Sequence, residues 1–440
     1  MASGKPKTVH ITLIGFGSVN RALARLIAQE AARLEQEHKL RVVYHAVVAR
    51  HGAWDASESP LSAAAVATLA DAVAAGCARL DGSTHVPAGV KAVSEPTQAA
   101  IRAIIGRMPV CAEAGARSAI VEAIDVDYSA GEPAATYIRD ALTRGCHAVS
   151  ANKGPVVHHR DALLALASEH GVRYLHESAV MDGVPIFSTW RAGFLPGGAK
   201  LRRFRGALNS TTSVILSGME RGQSMQEALK TAQVRASDSL RWPLDSLCYG
   251  LLMAFASASD GLCWPLMTSS SSSVCPQDAG IAEADPTGDT SGMDAAVKVV
   301  ALALALDLHR SPSTSFDLPR SGGGGEHQAP FALSDVDVSG IEGVTPAAVA
   351  SALAAGKKLR LVAGAEAASE AEGGRARGYV RVEALEPSDV LYGLNGADAA
   401  VTFYTDRLAP VTIMQHGSVV EDTAFGEYAD LMRALRPVEA

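Results

Sequence analysis

The segment from Val9 to Ile27 constrains the fold of this chain more than any other. Val9-His10-Ile11-Thr12-Leu13-Ile14 is rich in β-branched residues and stops at Gly15, the pattern of a buried strand. Val19, Ala22, Leu23, Leu26 and Ile27 follow at i, i+3, i+4, i+7 and i+8, which gathers them on one face of a helix. Between the two lies Gly15-Phe16-Gly17-Ser18-Val19-Asn20. A strand that turns through glycines into a helix can hold a pyrophosphate. The first glycine makes the tight turn, the second lets the backbone approach, and the helix N–H groups and dipole hold the anion. Val42 to Val48 supplies a second buried strand, so the order is β-α-β, the unit of parallel sheets. The spacing predicts dinucleotide binding at Gly15, Phe16, Gly17, Ser18, Val19 and Asn20; a plain structural turn is the alternative, because Asn20 stands where a third glycine usually falls.

The rhythm continues. Residues 56–80 are Ala-rich and helical, and Ala119 to Ile124 reads as a strand ending in Asp125-Val126-Asp127. Tyr137 to Arg144 is a helix stopped by Gly145, and Cys146 to Ser150 is a strand running into Ala151-Asn152-Lys153-Gly154. Helix Arg160 to His170, strand Val172 to Glu177 and a Gly183-Val184-Pro185 turn follow. Leu359 to Gln415 is β-rich and precedes a last helix, Ala424 to Leu435. Two stretches break the pattern. Residues 234–279 carry three of the six cysteines, two of the four tryptophans and the run Ser269 to Ser273; residues 311–328 carry Gly322 to Gly325. The fold expected is α/β, with an N-terminal Rossmann-like parallel sheet over 1–155, completed by about 410–440. An α+β substrate and dimerisation domain spans 156–409, with insertions at about 234–279 and 311–328.

Composition narrows the partners. Lys plus Arg is 39 against 47 Asp plus Glu, a net charge of −8, which lacks the basic face that nucleic acid requires. The longest apolar run, Val299 to Leu306, falls far short of the ~20 residues of a membrane helix. No apolar leader opens the chain, and no CxxC pair suggests a zinc knuckle. The expectation is a soluble enzyme of a reducing, cytoplasmic compartment, acting on a small molecule, with no nucleic-acid or membrane partner.

Three places carry chemistry. Ala49-Arg50-His51 ends the second strand, where NAD-selective folds place an acid. A guanidinium there suits a 2′-phosphate and favours NADP, with NAD still possible; the alternative is a surface arginine. Ser150-Ala151-Asn152-Lys153 delivers a lysine to the carboxyl edge of the sheet, where ligands bind, or else forms an ordinary Asn-Lys-Gly turn. Glu283, Asp285, Asp289 and Asp294 precede Lys298 at the start of an apolar helix. Asp294 and Lys298 share a face as an i,i+4 pair, which is routine on surfaces, but four acids beside a lysine also suit a substrate ammonium group.

Taken together these segments resemble the homoserine dehydrogenases. The match runs through the Gly15–Asn20 loop, Ala151-Asn152-Lys153-Gly154-Pro155, His176-Glu177 with Val180-Met181-Asp182-Gly183, Asn209-Ser210-Thr211-Thr212, Glu227 to Gln233, and Glu283 to Lys298. The resemblance implies NAD(P)-dependent interconversion of L-homoserine and L-aspartate 4-semialdehyde, on the way to threonine and methionine. It implies a homodimer. It places Lys153 and Lys298 near the substrate hydroxyl and gives Glu283, Asp289, Asp294 and Thr211 to substrate binding. It also implies a structural monovalent cation held by Glu177 and by backbone near Val180 and Asp182. Two neighbouring ammonium groups disfavour each other's charge, so one lysine is expected to act as a base. There are two departures from the family pattern: more than forty residues intervene before Glu283, and Gln415 to Val420 largely lacks the glycines of a cofactor-closing segment. One rival is an aspartate-semialdehyde dehydrogenase, but Cys146 lacks an activating context. Another is a homologue that binds dinucleotide while the insertion spoils its substrate site.

Overall fold

The computed structural model describes residues 6–110, 117–233, 286–308, 331–368 and 375–435. The two expected insertions fall on 234–285 and 309–330 and lie outside the described residues, as does Glu283.

The first sheet is built from β1 (Lys7–Ile14), β2 (Leu40–Ala49), β3 (Gly52–Asp55), β4 (Leu61–Ser62), β5 (Lys91–Ser94), β6 (Arg117–Glu122), β7 (His147–Ser150) and β8 (Tyr174–Leu175). Its order is β5-β3-β2-β1-β6-β7-β8, with β4 paired to β2. The strands β2, β1, β6, β7 and β8 run parallel. The edge formed by β3, β4 and β5 is antiparallel. Helices α1 (Ser18–Glu37), α2 (Ala63–Ala74), α3 (Gln98–Gly106), α4 (Ala134–Thr143) and α5 (Lys153–Glu169) connect these strands. They cover both faces: Leu23 and Ile27 pack with Ile11 and Leu13 on one side, and Ile104, Ile138 and Leu163 with Ile120 on the other. The N-terminal parallel sheet is therefore as expected, but its boundary is not. Residue 155 falls inside α5, the crossover helix that carries the chain into β8.

The second unit comprises α6 (Ile186–Thr189), β9 (Leu201–Ala207), α7 (Ser210–Glu220), α8 (Met225–Gln233), α9 (Thr287–Thr290), α10 (Met293–Ala305), β10 (Val336–Val338), α11 (Pro346–Ala354), β11 (Lys358–Glu366), β12 (Arg377–Leu385), β13 (Ala399–Thr405) and β14 (Val411–Gln415). Its mixed sheet has the order β10-β12-β11-β9-β13-β14. Ile215 of α7 and Val299 and Leu302 of α10 share its core with Phe204 and Phe403. Helix α10 is buried almost all round, with Met293 and Lys298 its partly exposed exceptions. Because β14 belongs to this sheet, the return into the first unit starts only with α12 (Val420–Leu435). Tyr428, Leu431 and Leu435 of α12 join the core of Val9, Ile11 and Leu23.

Helix α12 approaches the 178–183 loop closely enough that two glycines are required. A Cβ on Gly426 would lie 2.8 Å from the Gly183 Cα and against the Ser178 hydroxyl. Gly426→Ala is expected to cost about 1–3 kcal/mol through overpacking. Urea denaturation with an unchanged m-value would register it; an unchanged midpoint would refute the close packing.

Candidate active site

The carboxyl ends of β1, β2 and β6 open onto a cavity of about 690 Å³ lined by Gly15, Phe16, Gly17, Arg50, Asp125 and Tyr137 among others. Gly15 has φ +89°, and a Cβ there would strike the Ala123 carbonyl, so the turn admits only glycine. Gly17 caps α1 without any side-chain hydrogen bond, which leaves the first helical N–H groups to a ligand. This cradle fits a dinucleotide pyrophosphate.

The other loop residues divide. Ser18 and Val19 open α1 but do not line the cavity. Asn20 does not line it either: fully buried, its Nδ2 donates to the Gly15 carbonyl at 2.7 Å and reaches the Ile14 and Val121 carbonyls. Asn20 was expected to touch cofactor, but its amide instead ties the loop to the sheet from within. Arg50 lies at the cavity rim, ion-paired with Asp125, both side chains largely exposed. His51 and Arg79 also line the rim, Arg79 paired with Asp81 at 2.8 Å. Arg79 went unnoticed in the sequence because a short loop, not a strand end, carries it.

Beside this cavity the lysines and acids meet. Asp294, at the start of α10, lies 2.9 Å from the Lys153 Nζ and 2.9 Å from the Lys298 Nζ. Lys153 opens α5 at the end of β7, and Lys298 also donates to the Leu208 carbonyl at 2.8 Å. Asn209 donates to Asp294 at 2.8 Å and to Asp289 at 2.6 Å, while its carbonyl oxygen caps α7 by accepting from the Thr212 N–H at 2.7 Å. Thr211, buried in the first turn of α7, hydrogen-bonds Asp289. Asn209 was legible only as a helix cap; nothing local announced its hold on two carboxylates. The cluster adjoins the cavity through Asn152, whose Nδ2 reaches the carbonyl of the cavity-lining Ile124 at 3.4 Å.

The electrostatics set the two acids apart. Burial pushes the Asp294 carboxyl up, but the Lys153 and Lys298 charges and the bonds from Lys298 and Asn209 outweigh it and hold it far below the ordinary range. Burial and the Asp294 charge raise Asp289, and the Asn209, Lys298 and Thr211 contacts recover only part of this. The Asp294 carboxylate thus lies between the two ammonium groups.

At the expected cation site, the side chains of Glu177 and Asp182 make the following contacts. Glu177 accepts from the Phe187 N–H at 2.6 Å, from the Ser188 N–H at 3.0 Å and from the Arg433 guanidinium at 3.0 Å. Asp182 accepts from Thr423 Oγ1 at 3.0 Å and from the Ser418 hydroxyl, and Val180 is an apolar buried residue. Both oxygens of Glu177 are thus engaged, while each Asp182 oxygen accepts a single hydrogen bond. Among the described residues no group of three or more His, Cys, Asp or Glu side chains is arranged to hold a metal. The 415–420 segment does not line the cavity; Gly417 bonds to Asp398 and Val419 to Asp422.

A glycine cradle at the carboxyl edge of a parallel sheet, adjoining a lysine–acid cluster, defines a nicotinamide-dinucleotide-dependent dehydrogenase. The model of the homoserine dehydrogenase NAD-binding domain matches residues 15–177, and that of the homoserine dehydrogenase domain matches 185–236, 273–317 and 325–432. The chain belongs to the homoserine dehydrogenase family. It is 28% identical over 430 residues to the NAD(+)-dependent homoserine dehydrogenase of Pseudomonas canavaninivorans, covering 96% of this chain and 95% of that one. It is 27% identical to the Methanocaldococcus jannaschii homoserine dehydrogenase over 71% of each chain. The fold matches a homoserine dehydrogenase from Thiobacillus denitrificans with a TM-score of 0.63 at 21% identity, over 98% of this chain and 74% of that one. A hyperthermophilic archaeal homoserine dehydrogenase mutant in complex with NADPH also gives 0.63 at 20% identity, over 98% and 100%. The family match passes over 237–272, inside the compositionally foreign stretch. The chain is an NAD(P)-dependent oxidoreductase that interconverts L-homoserine and L-aspartate 4-semialdehyde, and a catalytically impaired homologue is not favoured.

Asp294→Asn leaves two facing ammonium groups uncompensated and should cost about 3 kcal/mol at neutral pH. Because the native carboxyl is depressed, its stabilisation is complete above pH ~4 and fades as pH falls below it. Urea melts of wild type and variant should therefore converge in acid; a constant gap would refute the pairing.

Proposed function

We propose that homoserine and the semialdehyde are held over the Lys153–Asp294–Lys298 cluster, with the dinucleotide in the adjoining glycine-cradled cavity. The observation that carries this reading is the single Asp294 carboxylate, 2.9 Å from both lysines. A dinucleotide held in that cavity by Gly15, Phe16 and Gly17 would supply the hydride chemistry at C4 of homoserine and of the aldehyde. In the reducing direction Lys153 and Lys298 present N–H donors to the aldehyde oxygen, polarise it, and supply one proton as hydride reaches carbon; solvent restores that proton. Oxidation reverses this: the hydroxyl proton passes to the lysine pair as the C–H bond gives up hydride.

Asp289, with Thr211 beside it, is the partner proposed for the substrate ammonium. A cation docking there would favour the ionised carboxyl that burial opposes. Glu283 belongs to the same proposal. At the other end Gly15, Phe16 and Gly17 cradle the pyrophosphate. Arg50 faces the adenosine ribose, which favours NADP over NAD, since no acid ends β2. A monovalent cation, if held at Glu177, Val180 and Asp182, would rest on backbone carbonyls. Homodimerisation through the second unit and a cytoplasmic location complete the reading; among the described residues no helix is long and apolar enough to cross a membrane.

Purified protein should reduce NADP in the presence of L-homoserine. Lys153→Ala and Lys298→Ala should each lower kcat by roughly 100-fold or more while the dinucleotide Kd holds; near-wild kcat in either would remove that lysine from the chemistry. Arg50→Ala should raise the KM for NADP well beyond any change for NAD. Equal effects on both cofactors would dispose of the 2′-phosphate role.

A further inference from the structure

Glu122, the last residue of β6, is fully buried between the cavity and the lysine cluster, and no step above uses it. Its Oε1 accepts from the Ile124 N–H at 2.9 Å and from Asn152 Nδ2 at 3.2 Å; its Oε2 accepts from Ser150 Oγ at 2.6 Å. Ser150 Oγ in turn accepts from the Asn152 N–H at 3.0 Å. The backbone is tied as well, the Ala151 N–H donating to the Glu122 carbonyl at 3.1 Å. Asn152, held on both its amide and its side chain, caps α5 by accepting from the Gly154 N–H at 3.0 Å. Lys153 is the next residue. One side chain thus fixes the cavity wall at Ile124 and the entry of the helix that carries the lysine.

We propose that Glu122 is a positioning residue for the dehydrogenase reaction: through Ser150 and Asn152 it sets where the Lys153 ammonium stands relative to the dinucleotide cavity. A loop closing β7 onto α5 could be satisfied by water or by backbone alone, and a fully buried carboxyl is an expensive way to do it. What the carboxyl adds is a common anchor for two walls of one site, and displacement of a reacting group by about 1 Å costs on the order of 100-fold in rate. Burial pushes the Glu122 carboxyl up, against the Ser150, Ile124 and Asn152 bonds, so a neutral side chain of the same shape can take its place. A glutamine keeps one oxygen for Ile124 and Asn152 and turns its amide toward the Ser150 hydroxyl.

The inference rests on the role proposed for Lys153, and a double-mutant cycle separates the two. Glu122→Ala should lower kcat by about 30- to 100-fold with the NADP Kd within about threefold. Glu122→Gln should recover kcat to within about fivefold of wild type. E122A/K153A should be no slower than K153A, because Glu122 acts only through that lysine. If K153A alone retains activity, the Lys153 reading falls and this inference falls with it. If K153A is inactive but folded E122A keeps kcat within about twofold, or if the two losses multiply, this inference alone is overturned. Should E122A not fold, Asn152→Ala probes the same relay. A matching drop in kcat that does not add to K153A supports the inference, and an unchanged kcat refutes it.

Discussion

A carboxylate taken out of water costs several kcal/mol unless donors replace its hydration. Asp294 is supplied with three: Lys153 from the first unit, Lys298 from its own helix and Asn209 from the cap of α7. These come from separate elements, so the carboxylate is satisfied only when α5, α7 and α10 are all in place. The charge cluster registers the two units against each other at the edge where the dinucleotide cavity opens. Buried ion pairs are a poor means of gaining stability, since a well-packed apolar trio would do as well. Their retention here accords with chemistry that needs a proton donor in a dry, oriented setting.

Much of this was legible in the chain. The strand–glycine–helix start is specified locally, by β-branched residues, a turn that only glycine permits, and an apolar stripe, so it survives intact as β1, Gly15 and α1. The i,i+4 relation of Asp294 and Lys298 is also local, and the pair forms. Other features depend on distant contacts. Strands β3 and β5 are four residues each, too short to show an alternation, and exist because β2 offers an edge to β3 and β3 in turn offers one to β5. The helix expected over 56–80 is confined to Ala63–Ala74, since Leu61 and Ser62 pair with β2 first. Asn20 matched a cofactor motif by position, yet its amide found unsatisfied carbonyls closer to hand.

The site shows the same division. That Lys153 sits at a strand end could be read from the sequence; that it shares a carboxylate with Lys298 could not, because no periodicity links residues so far apart. Nor does the sequence show that Asp294 stands between the two ammonium groups. The partners of Glu177 are likewise distant in the chain, two amide N–H groups and the Arg433 guanidinium, and no local pattern announces them.

Helix α12 has an implication for how the molecule is made. Its sixteen residues complete the core begun by β1 and α1, yet the whole second unit is synthesised in between. On the ribosome the cofactor half would wait, with part of its apolar face uncovered, until Tyr428, Leu431 and Leu435 emerge. Biosynthesis of this enzyme therefore leaves the first sheet without its last helix until the second unit is made, and a nascent chain halted early would expose a sticky groove for chaperones to guard.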